Sequence, residues 1–167
     1  EQYDKNMQSL PNIASGITIK RVEIWVTNKT ASTTNNRNII ALSDLGEITC
    51  LSNELWTVNG EYRAPANRAN NLYSMLVNNY PEARDISRAT TVLDGINGFE
   101  GSVDYEKLQS ARLLSSSEYN VNSALGYVSL NTTLQTDDVL AVAYEYTYGG
   151  VTYQVGEFAA DVSSNTD

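Results

Sequence analysis

The residues packed closely enough to act together are Tyr144, Tyr146, Tyr148 and Tyr153, gathered in "DDVLAVAYEYTYGGVTYQVGEF" (Asp137–Phe158). Tyrosine joins a large apolar ring to a polar hydroxyl. Such a set can build a platform for a sugar or peptide, face lipid on a membrane hairpin, or fill half of a protein core. The stretch alternates apolar and polar residues around Gly149-Gly150, and a two-residue glycine loop suits a type I′ turn. That register sets Tyr148 opposite Val151, Tyr146 opposite Tyr153 and Tyr144 opposite Val155. One face then carries Leu140, Val142, Tyr144, Tyr146, Tyr148, Val151, Tyr153 and Val155. The other carries Ala141, Ala143, Glu145, Thr147, Thr152 and Gln154. Cross-strand pairs of this type contribute roughly 0.2–1 kcal/mol each beyond an alanine pair.

Other chemistry is scarce. The chain has no histidine, which excludes Ser-His-Asp and Cys-His catalysis and histidine metal sites. No lysine follows a serine by three residues, and no phosphate-binding or dinucleotide glycine motif occurs. Carboxylate pairs can hydrolyse glycosides, and Asp44, Glu47, Asp137 and Asp138 are the candidates. Any acidic domain supplies as many, and Asp137-Asp138 reads as the turn that starts a strand. "DGINGFEG" (Asp94–Gly101) lacks the acidic spacing of a calcium loop and reads as a turn. Cys50 is the sole cysteine, so no intrachain disulfide forms, and a lone Cys behaves as a small hydrophobe. These residues read as a non-enzyme, with no catalytic set, cofactor or metal.

Composition narrows the partners. At 167 residues the chain can bury a real core, and 41% hydrophobic with 19% charged residues fits a globular protein. A net charge of −9 without a basic run argues against nucleic acid and anionic membrane surfaces. No apolar run approaches the ~20 residues of a spanning helix. Opening on Glu1, the chain reads as a piece of a longer precursor.

The elements that must position these residues follow from the patterning. "GITIKRVEIWVTN" is a strand with a phase slip near Lys20-Arg21, the mark of a β-bulge or a strand start. "NIIALSDLGE" is a second strand turning at Gly46, and "ITCLSNELWTVNGEY" reads as further extended chain turning at Asn59-Gly60. Ala69, Leu72, Tyr73, Leu76 and Val77 then fall at helical spacing after Pro65, and "PEARDISRATTVLDGI" gives a second helix ending near Gly95. From Tyr105 strands return, with a turn at Ser115-Ser116-Ser117 and short paired strands in "EYNVN" and "LGYVSLN". The order predicts an α+β domain, an antiparallel sheet or sheets with two short helices mid-chain, each covering a sheet face. The expected limits are an N-terminal extension over 1–16, a single soluble domain over 17–158 and a polar tail or linker over 159–167.

Taken together, "KRVEIWVTNKT", "NNRNIIALSDLGE", "ANNLYSMLVN" and the run from "DYEKLQSARLL" through "YTYGGVTYQVGEF" closely resemble the SprA/Sov family. These are giant outer-membrane translocons of the type IX secretion system in Bacteroidota, linked to gliding motility. The resemblance spans about Lys20 to Phe158 and is most specific from "SARLL" onward. It implies a non-catalytic soluble domain of a very large barrel, on the periplasmic or cell-surface side. Its partners would be the rest of that barrel, and secretion cargo or accessory subunits. A cell-surface carbohydrate- or peptide-binding module using the tyrosine face is the alternative.

Overall fold

The computed structural model describes residues 16–29, 34–123 and 125–162. Among them, seven strands form two antiparallel sheets with two short helices between the second and third strands, an α+β fold. The elements are β1 (Ile17–Val26), β2 (Asn36–Leu42), α1 (Leu72–Asn79), α2 (Ile86–Asp94), β3 (Tyr105–Leu113), β4 (Tyr119–Asn122), β5 (Tyr127–Leu130), β6 (Leu140–Tyr148) and β7 (Val151–Val155). The main sheet runs β2-β3-β1-β6-β7, and β4-β5 form a separate hairpin.

Local sequence explains the irregularities of the sheet. Ile19 pairs with Tyr146 but Arg21 with Glu145, so Lys20 is the extra residue of a bulge. The phase slip is therefore this bulge. A second bulge lies in β3, between the Arg37–Ala111 and Ile39–Leu108 pairs. There Ser110 takes φ +52° and its N–H donates to the Asn38 side chain at 2.9 Å. β1 meets β3 only at Trp25–Leu113 and Val26–Arg112, so β2-β3 is offset along the sheet from β1-β6-β7.

One face of the main sheet carries two covers. Ile24 and Val26 pack under Leu114 and the β4-β5 hairpin side chains Tyr119, Val128 and Leu130. Ile40, Leu42 and Tyr105 pack beneath the helices, against Leu72, Leu93, Ile96, Phe99 and Trp56. The opposite face holds Trp25, Leu108 and Ala111, with Ala141 and Ala159 against them. The helices do cover one sheet face, that of β2-β3.

The loops depart from the sequence reading in two places. The stretch expected as further extended chain, "ITCLSNELWTVNGEY", contains no strand, and only Val58 bridges to Asn70. Side chains hold its backbone instead: Asp44 accepts from Ser52 and Asn53 N–H at 2.9 Å each, and Asn71 accepts from Thr57 N–H at 2.7 Å. For the same reason α1 begins at Leu72 and not near Pro65. The Asn70 side chain accepts from Leu72 N–H, and residues 66–69 form a turn closed by Ala69 N–H on Ala66 C=O. α2 starts on Asp85, whose carboxylate accepts from Ser87 N–H, and ends at Gly95.

The serine turn between β3 and β4 is set by Glu118. Its carboxylate takes Arg112 at 2.9 Å and both the N–H and the hydroxyl of Ser115 at 2.9 Å. Arg112 first, then the Ser115 N–H, pulls the Glu118 carboxyl down to about 2. A depressed carboxylate stabilises the fold above its unfolded pKa, and that contribution fades as pH falls towards 2. Glu118→Gln is expected to cost about 1–2 kcal/mol at neutral pH, discounted because the pair is partly solvated. Urea melts at pH 7 and near pH 2 should show the gap between wild type and variant closing in acid.

Candidate functional site

The tyrosine face is built as its turn dictates. Gly149 and Gly150 take φ +58° and +81°, the two positive values a type I′ turn needs. Tyr144, Tyr146 and Tyr148 stand opposite Val155, Tyr153 and Val151. Tyr146 is 4% exposed, stacks on Tyr153 at 5.4 Å between ring centroids and lies 5.9 Å from Tyr144. Its hydroxyl donates to Pro65 C=O at 2.7 Å. The cover over this ring is thus the Pro65–Asn67 segment, not a helix. Asn67 fixes that segment to β7, donating from its backbone to Gln154 C=O and exchanging side-chain bonds with Gly156. Burial raises the Tyr146 phenol, helped by repulsion from Tyr144 and Tyr153. Burial, and then Glu47, pushes Tyr144 up to about 12. Tyr148 and Val151 remain exposed at the tip, while Tyr144 and Tyr153 are half-buried.

The four candidate carboxylates go to different places. Asp44 is buried and occupied by two backbone N–H groups. Asp137 and Asp138 both bind Lys29, with Asp138 at 2.8 Å, and Asp138 closes the expected turn by accepting from Gln135 N–H. Lys29 holds both carboxyls below the usual range. Asp94 accepts from the Tyr105 hydroxyl at 2.5 Å, and "DGINGFEG" folds as successive turns that bury Ile96 and Phe99. Cys50 is exposed, against the expectation of a small buried hydrophobe. It lies in the segment held by Asp44, where no strand forms to carry it inward. No cluster of three metal-ligating side chains occurs among the described residues.

Of the four, Asp138 lines a small cavity of about 170 Å³ beside Lys29, and Glu47 lines a much larger one. β7 stops at Val155, and Gly156, at φ +82°, turns the chain away. A side chain at Gly156 would bring its Cβ to 2.9 Å from that of Ala143, so only glycine passes here. Beyond this turn β6 keeps a neighbour on one side only, β1, over Leu140–Ala143. A cleft of about 660 Å³ opens along that edge, its lining including Leu140, Val142 and Tyr144 together with Glu47, Leu76 and Tyr80. Burial raises the Glu47 carboxyl, and repulsion from Asp44 adds to it.

One end of the cleft is clamped by Glu157. Its carboxylate takes Arg84 through two bonds of 2.9 and 2.5 Å and the Tyr73 hydroxyl at 2.8 Å. Arg84 holds the Glu157 carboxyl below its ordinary value despite burial. The polar stretch expected from residue 159 onward is tied to the sheet as far as Asp161. Ala159 N–H donates to Glu23, Arg37 donates to Ala159 C=O, and Asp161 binds Arg21 at 3.0 Å. Sequence reasoning named Glu47 and Tyr144 but missed this clamp and the open edge. A legible signal existed for the edge: Gly156 ends β7 five residues after the turn, whereas β6 runs nine before it.

Fold and cleft together define an α+β domain with a groove along an unpaired strand edge. No protein-family model matches the chain, and no curated protein matches it. Among the described residues no helix is long and apolar enough to cross a membrane.

Proposed function

We propose that this chain is a non-catalytic domain of a giant outer-membrane translocon of the type IX secretion class, linked to gliding motility. It acts structurally, or through contacts with cargo, accessory subunits or the rest of its own barrel. It lies outside the bilayer, on the periplasmic or cell-surface side. The observation that carries this reading is the resemblance from Lys20 to Phe158, most specific from "SARLL" to "VGEF". The use of the carboxylates supports it: Asp44 serves backbone N–H groups and Asp137 and Asp138 serve Lys29, all of them folding roles. A carbohydrate platform on the tyrosine face is weakened because its central ring, Tyr146, is sealed under Pro65.

In cells carrying the parent gene, a photo-crosslinking residue at Val103, which is 62% exposed, should give adducts with secretion components. Deleting 17–158 in frame should block export. A parent gene that encodes only a short secreted protein, or export that continues normally without these residues, would overturn the proposal.

A further inference from the structure

We infer that the cleft is a docking site for an extended segment of a partner polypeptide, which adds a strand to the open edge of β6 and places a lysine or arginine beside Glu47. The inference goes beyond the translocon reading and does not rest on it.

The backbone geometry comes first. In a two-residue hairpin the residues flanking the turn, Tyr148 and Val151, exchange both backbone bonds, and antiparallel ladders then alternate. Tyr146 and Tyr144 therefore direct their N–H and C=O groups to β7, and Ala143 and Ala141 direct theirs to β1. Val139 fits the same alternation, since its C=O accepts from Thr27 N–H at 3.2 Å and its N–H donates to the Thr27 hydroxyl at 2.9 Å. The N–H and C=O groups of Leu140 and Val142 consequently point away from β1, into the cleft. Among the described residues no backbone or side-chain group outside the ladder bonds them.

Unpaired strand edges are templates for another chain, and proteins blunt them with lysine, proline or a bulge. Leu140-Ala141-Val142-Ala143 has none of these. Leu140 and Val142 are instead 38% and 41% exposed, flanking the free backbone groups with apolar surface. Strand addition takes its affinity from backbone bonds and its specificity from alternate side chains. The charge decides which side chains. Glu47 is half-buried on the cleft wall with no hydrogen bond or ion pair to its carboxylate among the described residues. The chain as a whole carries −9. A segment alternating apolar residues with a lysine or arginine would pair the edge, cover Leu140 and Val142, and give Glu47 its missing cation.

The test uses the ¹⁵N-labelled 167-residue chain and the peptide acetyl-Thr-Val-Lys-Val-Thr-Val-amide. Free, the Leu140 and Val142 amides should exchange with solvent at least tenfold faster than those of Ala141 and Ala143. On titration to millimolar peptide, their resonances should shift and their exchange should slow, while a peptide N-methylated at alternate residues should do neither. Glu47→Gln should weaken the lysine peptide at least fivefold and leave its serine counterpart unchanged. Val142→Lys, at an exposed position, should abolish binding of both with the fold retained. Shifts absent from the β6 edge, or equal affinity for the lysine peptide and one with glutamate in its place, would overturn the proposal. So would shifts of the same amides with protein concentration alone, which would make a second copy the occupant.

Discussion

Tyr146→Ala is expected to remove about 3–5 kcal/mol of stability, the range for emptying a buried aromatic site. The ring is 4% exposed between Tyr144 and Tyr153, and its hydroxyl is the bond that anchors Pro65 over the sheet. Tyr148→Ala, at a position 41% exposed, should change stability by less than about 0.5 kcal/mol. Urea unfolding of both variants measures the contrast. A tyrosine platform built for ligand would give the reverse pattern, with Tyr146→Ala folded and merely unable to bind. The buried phenol also has an alkaline signature. Its pKa is raised on folding, so the stability linked to its neutral form is present below pH ~10 and lost as pH climbs through the folded value. Tyr146→Phe should lose part of that alkaline sensitivity while forfeiting the Pro65 bond.

Phe158→Ala is expected to be as damaging, again about 3–5 kcal/mol, although the residue follows the last strand. Phe158 is fully buried, and the Arg21 guanidinium sits 3.9 Å above its ring centroid. Arg21 projects on the β1 face opposite the tyrosines, since it pairs with Glu145 across the bulge. The same arginine binds Asp161, so removing the ring should also release Ala159 and Asp161 from β1. Thermal melts of Phe158→Ala and of a chain ending at Gly156 should show similar losses. If both variants melt with the wild type, the segment after β7 contributes nothing to the fold.

Several features were legible because their causes lie within a few residues. Gly149-Gly150 can take positive φ at both positions, and with the turn set, every cross-strand pair of β6 and β7 follows. The bulge at Lys20 shows as a phase slip because a strand's side chains alternate with period two. The end of the second helix near Gly95 was legible, but its start was not: residues 81–84 form a separate 3-10 turn, and Asp85, in extended conformation, caps α2 anew. Other features required the folded chain. "ITCLSNELWTVNGEY" has strand-like residues, yet Asp44 and Asn71 capture its backbone N–H groups before a neighbouring strand can. Asp44 looked like a possible catalytic acid for the same reason that it is a good acceptor: a carboxylate serves either role, and its surroundings choose.

By itself, then, the sequence determined the class of fold, the register of the closing hairpin and the two-faced character of β6, since alternation and turn chemistry act between near neighbours. The tertiary structure decided which surface lies over which. It brought Pro65 onto Tyr146, Glu157 onto Arg84 and Tyr73, and placed Glu47 in the lining of the cleft that Leu140 and Val142 share. Those hydrogen bonds join residues more than seventy positions apart. Burial and loop closure select them, and neither quantity is written in any local pattern.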